Sequence, residues 1–121
     1  MPSVRPLRIL VAEDNAVIGM LLAEMLVTMG HEVCAIERSE ADTVTSALRC
    51  EPDLLIADAI LAEGSGVAAV ETVLRTRHVP HIFMSGAAIG TARADSVVLQ
   101  KPFSEADMAR AIRLAVGDAV T

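Results

Sequence analysis

The chain contains no tryptophan and no tyrosine, and its only aromatics apart from histidine are Phe83 and Phe103. Stacking platforms for nucleic-acid bases are therefore missing. The net charge of −6 also argues against a nucleic-acid-binding face. Cys34 and Cys50 are too few for a disulfide framework, neither has metal-ligand spacing to another cysteine or histidine, and with no export signal both read as reduced thiols. Met1-Pro2-Ser3-Val4-Arg5-Pro6 leads into a short strand-like run and then acids, not into a secretory leader. No apolar run has the length to span a bilayer. Linkers, repeats and low-complexity segments are absent as well. The expectation is a cytoplasmic domain over residues 1–121, with no membrane or nucleic-acid partner. The last scarcity is the sharpest: Lys101 is the only lysine in a chain that otherwise uses arginine.

What is present is core-forming material. The 121 residues are 53% hydrophobic and 21% charged, enough to bury a single core and too apolar for disorder. The chain is organised around Asp53-Leu54-Leu55-Ile56-Ala57-Asp58-Ala59, a strand-length apolar run ending in a carboxylate. Further strands are predicted over Leu7–Ala12, Glu32–Glu37, Pro80–Ser85 and Ser96–Gln100. Between them lie helical periodicities. Ile18, Leu22, Met25, Leu26 and Met29 mark the first, closed by Gly30, and the methionines are taken as core packing. Ser39 caps the second, whose inner face is read as Ala41, Val44, Ala47 and Leu48. Val67, Val70, Val73 and Leu74 mark a third, ending near His78. Ser104 starts the last, lined by Met108, Ala111, Ile112 and Ala115 and closed by Gly117. Alternating strands and helices predict a (βα)5 doubly wound parallel sheet. The crossover Gly86–Asp95 has room for about two helical turns, so the fourth helix is expected to be short or irregular.

Polar residues fall at the carboxyl ends of four strands: Glu13 and Asp14 after the first, Asp58 at the third, Ser85 at the fourth and Lys101 at the fifth. In a doubly wound sheet these ends meet at one crevice. Three neighbouring carboxylates repel, and a divalent cation removes the conflict. Hard oxygen ligands with open positions suit Mg2+. Lysine and serine partner phosphoryl oxygens, and a carboxylate can accept a phosphoryl group. Singly, each residue has a plainer role. Asp14 or Asn15 can cap a helix, Ser85 can bond backbone, Lys101 can sit in solvent. Their arrival on one edge in this order favours phosphoryl transfer onto an aspartate. His31, His78 and His81 read as structural or surface residues.

Four segments together resemble a response-regulator receiver domain over essentially the whole chain: Ile9-Leu10-Val11-Ala12-Glu13-Asp14-Asn15, Pro52-Asp53-Leu54-Leu55-Ile56-Ala57-Asp58, Ile82-Phe83-Met84-Ser85-Gly86 and Leu99-Gln100-Lys101-Pro102-Phe103. The resemblance implies a flavodoxin-like sheet of order 2-1-3-4-5. It implies Asp58 as phosphoacceptor and Mg2+ held by Glu13, Asp14, Asp58 and the Ile60 carbonyl. It makes Ser85 the switch hydroxyl and Lys101 the phosphate-binding lysine, and it implies a cis Lys101-Pro102 bond. The implied partners are a sensor histidine kinase or phosphotransfer protein and a downstream protein. The strand ends and the Leu61–Gly66 loop are similar to an alphaproteobacterial subgroup of stress-response receivers often paired with HWE-type kinases. Val98 stands where the family carries a switch aromatic, so signal relay must differ.

Two other readings compete. A phosphorylation-independent pseudo-receiver would bind partners without chemistry, as the missing aromatic and short crossover suggest. An aspartyl-phosphate phosphatase needs a second acid close after its nucleophile, and Ala59 and Ile60 stand there instead. The leading reading has no output domain in this chain, and the lack of a linker-like tail favours a stand-alone protein. With Ile60 and Ala87 unable to orient water, slow autodephosphorylation is expected. Gly86–Asp95 is the segment expected to shift on phosphorylation.

Overall fold

Alternation along the central strands decides the architecture. In a strand, successive side chains face opposite ways. Ile9, Val11, Leu54, Ile56, Ile82 and Met84 bury on one face of the sheet with Leu22, Leu26, Met108 and Ile112. Leu10, Leu55 and Phe83 bury on the other with Ala47, Val70 and Val73. Both faces are therefore covered by helices, as an all-parallel sheet requires.

The computed structural model describes residues 5–86 and 96–117. Its elements in chain order are β1 (Arg8–Ala12), α1 (Ala16–Thr28), β2 (Glu32–Glu37), α2 (Glu40–Cys50), β3 (Leu54–Asp58), α3 (Gly66–Leu74), β4 (His81–Ser85), β5 (Val97–Gln100) and α4 (Glu105–Val116). The five strands pair in parallel in the order β2-β1-β3-β4-β5, as expected. Helices α1 and α4 cover one face, α2 and α3 the other. Of the crossover Gly86–Asp95, only Gly86 belongs to the described residues, so the expected fourth helix and the proposed moving segment fall outside them. No helix among the described residues is long and apolar enough to cross a membrane.

Each helix starts on a side-chain cap. Asn15, Ser39, Ser65 and Ser104 accept a hydrogen bond from the amide three residues on, and Ser104 forms a reciprocal capping box with Asp107. Asn15 takes the cap of α1, which leaves the Asp14 carboxylate available for other work. Gly30 follows α1 at φ +99°, the left-handed position its place in the sequence indicates. The Lys101-Pro102 bond is cis.

Three expectations are corrected. The inner face of α2 is Thr43, Ser46 and Ala47, whereas Ala41 and Leu48 are exposed. Thr43 donates to the Ser39 carbonyl at 2.7 Å and Ser46 to the Glu37 carboxylate, so local hydrogen bonds let polar residues bury where apolar ones were expected. In α1, Leu22 and Leu26 face the core, but Ile18 is 41% and Met20 60% exposed. That helix is apolar on all sides, so periodicity could not orient it. Helix α3 ends at Leu74, because the Thr76 and Arg77 amides turn back onto the Val73 carbonyl.

The histidines divide by burial. His31 is buried, accepts the Leu7 amide on Nδ1 at 3.1 Å, and has its pKa lowered by burial. His81 is buried on Phe83 and bonds Ser96 at 2.9 Å, while His78 is exposed. Cys34 and Cys50 are free and half-buried. Burial, aided by the neighbouring Cys50 thiol, pushes the Cys34 thiol up to about 11. Cys34 is also the unpaired residue of a bulge in edge strand β2, since Ile9 pairs with Val33 and Leu10 with Ala35.

Candidate functional site

The carboxyl ends of β1, β3, β4 and β5 surround one open cleft of about 300 Å³. Its lining includes Glu13, Asp14, Asp58, Ile60, Ser85 and Lys101. All six residues singled out from the sequence thus meet at one place.

Register and packing explain how. Strand β3 is central and buried along its whole length, so it delivers Asp58 to the rim with little freedom. Asp58 pairs with Met84 across the β3–β4 ladder, which sets Ser85 at the adjacent edge. The Lys101 amide donates to the Ser85 carbonyl at 2.8 Å, fixing the start of the lysine beside the same rim. Gly66, at the start of α3, lies so close to β3 that a Cβ there would stand 1.9 Å from the Asp58 carbonyl oxygen. The Ile60 side chain is 82% exposed, so that residue contributes to the cleft through its position in the loop. Val98 stands half-exposed on β5, away from the cleft lining.

Lys101 Nζ lies 2.7 Å from Asp58 Oδ1 and 3.8 Å from Glu13 Oε1. Burial pulls the lysine pKa down, but the hydrogen bond to Asp58 and the charges of Asp58, Glu13 and Asp14 outweigh it and leave the pKa raised. Lys101 therefore stays an ammonium. Glu13 and Asp58 are buried and Asp14 half-buried, and one carboxylate oxygen of each lies within 4.8 Å of the others. Glu13 Oε2 accepts the Asn15 amide at 3.0 Å, whereas buried Oε1 has no hydrogen-bond partner among the described residues. Among the described residues, three carboxylates against one lysine leave the cluster short of positive charge. An orphaned buried oxygen aimed into such a cluster suits a hard divalent cation. The residues present fit Mg2+.

Glu13 records this conflict. Burial raises its pKa most, the neighbouring Asp58 carboxyl raises it further, the Asn15 amide opposes, and the result is about 7. A raised carboxyl stabilises the fold fully below the unfolded value of 4.5 and loses that contribution as pH rises through about 7. With metal chelated, the stability of the wild type relative to Glu13→Gln should fall by about 3 kcal/mol between pH 4 and 8. His31 is present in both proteins, so its own titration cancels. Urea unfolding at several pH values checks this, and a constant difference would mean that Glu13 ionises freely.

Comparison with known proteins agrees with the geometry. No family model matches the chain. Over 117 residues it is 34% identical to the transcriptional regulatory protein PdtaR of Mycobacterium tuberculosis, covering 92% of this chain and 57% of PdtaR. Over 114 residues it is 32% identical to the phyllosphere-induced regulator PhyR of Methylorubrum extorquens, covering 89% of this chain and 43% of PhyR. The solution structure of the Erythrobacter litoralis PhyR response-regulator REC domain superposes with a TM-score of 0.80 at 28% identity, covering 93% of this chain and 91% of that one. The chain spans about half the length of the curated relatives it matches.

Proposed function

Because this chain belongs to the response-regulator receiver family, on the alphaproteobacterial PhyR-like side of it, we propose that it is a phosphoryl-accepting switch of a two-component phosphorelay, with Asp58 as acceptor. The observation that carries the reading is Asp58 on the rim of the cleft, 2.7 Å from the only lysine of the chain and within the carboxylate cluster.

In this reading an Asp58 carboxylate oxygen attacks the phosphorus of a phosphohistidine presented by a sensor histidine kinase or phosphotransfer protein. A P–O bond forms and the P–N bond breaks. The imidazole nitrogen takes the electron pair of the broken bond, the ring, already protonated on its other nitrogen, leaves as neutral imidazole, and Asp58 becomes an acyl phosphate. Lys101 holds its ammonium against the phosphoryl oxygens, and the Ser85 hydroxyl donates to another. Glu13, Asp14, Asp58 and the Ile60 carbonyl would hold Mg2+. When bound, the ion neutralises the carboxylates and the phosphoryl charge. Around it, Glu13 and Asp58 are buried, so the acceptor sits where charge interactions are strong. The protein turns over no substrate of its own. The acyl phosphate is a state that changes what the chain binds. Slow loss of that phosphate fits Ile60, which directs its side chain into solvent; Ala87 lies outside the described residues.

Beryllofluoride, a phosphoryl mimic, tests the reading by NMR. With Mg2+ present, saturable shifts at Asp58, Ser85 and Lys101 are expected, and none without the metal. The absence of shifts under both conditions would favour the phosphorylation-independent interaction module.

A further inference from the structure

The segment between β2 and α2 contains no residue of the cleft, yet it holds the backbone on both sides of it. The Glu13 amide donates to the Glu37 carbonyl at 2.8 Å. Arg38 Nε donates to the Asp14 carbonyl at 3.1 Å. These two bonds fix the loop after β1. On the other side, the Glu40 amide donates to the Glu63 carbonyl at 3.0 Å, and the Ser65 amide donates to Glu40 Oε1 at 3.0 Å. Ser39 and Glu63 also pair as a parallel bridge. Those contacts fix the loop after β3, which carries Ile60.

That second loop is closed on itself. The Leu61 amide donates to the Gly64 carbonyl at 3.2 Å, and Ser65 Oγ donates to the Ala59 carbonyl at 3.1 Å. Ile60 and Ser65 form an antiparallel bridge. A loop so closed moves as one piece, so whatever holds Glu63 and Ser65 also sets Ile60. Gly64 shows how tight the seat is. A Cβ there would stand 2.4 Å from Glu40 Oε1. An acid in the first turn of a helix ordinarily faces solvent and interacts with the helix dipole. Glu40 instead spends its side chain on the neighbouring loop.

A cation held by the Asp14 carboxylate and the Ile60 carbonyl would depend on the spacing of these two loops, and the stretch Glu37–Glu40 is the piece that touches both. Resting on the receiver reading above, we propose that Glu40 is a positioning residue for Mg2+: it seats the β3–α3 loop so that the Ile60 carbonyl faces the acidic cluster, and it thereby sets the affinity for the ion. Residues that orient first ligands typically change metal affinity by roughly 10–100-fold when removed.

Mg2+ titration of the full chain by amide NMR tests this with three variants. Glu40→Gln keeps the acceptor oxygen and loses the charge. Glu40→Asp keeps the charge and loses the reach, and Glu40→Ala loses both. Ser39 still caps α2 in all of them. Glu40→Gln should bind Mg2+ within about twofold of wild type, and the other two about tenfold more weakly. In the metal-free state the Ser65 amide resonance should move in Glu40→Asp and Glu40→Ala but stay in Glu40→Gln, which reports the contact in folded protein. Affinity that follows charge instead, weak in Glu40→Gln and normal in Glu40→Asp, overturns the proposal. So does equal affinity in all four proteins, or weak binding with an unmoved Ser65 amide. A wild type that binds no Mg2+ refutes the receiver reading itself.

Discussion

Asp58→Asn is expected to reduce acid-labile phosphoryl labelling from a small phosphodonor to background. An amide oxygen is a poor nucleophile for phosphorus, and no other carboxylate holds the same position. Glu13 is buried with its pKa raised to about 7, and its Oε1 lies 3.8 Å from Lys101 against 2.7 Å for Asp58. Glu13 therefore stands farther from the cation that would gather the phosphoryl oxygens. The substitution keeps the volume of a buried side chain, so the fold should survive. It also removes one of three clustered carboxylates, which relieves repulsion in the metal-free protein. Labelling and urea unfolding, measured side by side, separate loss of chemistry from loss of structure. Labelling that persists in a folded Asp58→Asn protein would move the acceptor elsewhere.

Gly66→Ala is expected to cost about 3–5 kcal/mol of stability, a large share of the 5–15 kcal/mol that typical domains possess. Helix propensity alone points the other way, favouring alanine over glycine by about 1 kcal/mol. The clash decides. The added carbon would meet the Asp58 carbonyl oxygen at 1.9 Å, the Asp58 carbonyl carbon at 2.9 Å and Ala57 Cβ at 3.1 Å. The two shortest are backbone atoms of the most buried strand, so no side chain can swing aside. Either α3 moves outward or β3 is displaced, and the second option carries Asp58 with it. A denaturation midpoint within about 1 kcal/mol of wild type would show that α3 shifts freely.

The parallel sheet was legible because its strands are buried on both faces and read as short apolar runs. Leu54 to Asp58 is the plainest case. The site was legible because each residue sits at a strand end, where order in the chain and order in the sheet coincide. Orientation of α1 was not, since Val17, Met20, Leu21 and Val27 are as apolar as Leu22 and Leu26 and yet more than half exposed. Burial of Thr43 and Ser46 was hidden because their hydrogen-bond partners, Ser39 and Glu37, are local but polar. The role of Glu40 was hidden for another reason. Its partners, Glu63 and Ser65, are more than twenty residues away, and the contact is to backbone, which leaves no mark on residue type. The Gly64-Ser65-Gly66 run was the one available signal, since two of its members have no room for a side chain.

The lone lysine gives the molecule a built-in chemical reporter. Amine acylation needs a free, uncharged nitrogen. The only ε-amine of this chain is held as an ammonium against Asp58 in the cleft. Apart from the chain's own α-amino group, a lysine reagent has one target, and the rate at which it reacts measures how often the pair opens. The surface elsewhere carries its positive charge as guanidinium, which such reagents leave untouched, so occupancy of the cleft can be read by mass from a single modified side chain, with no label attached to the protein.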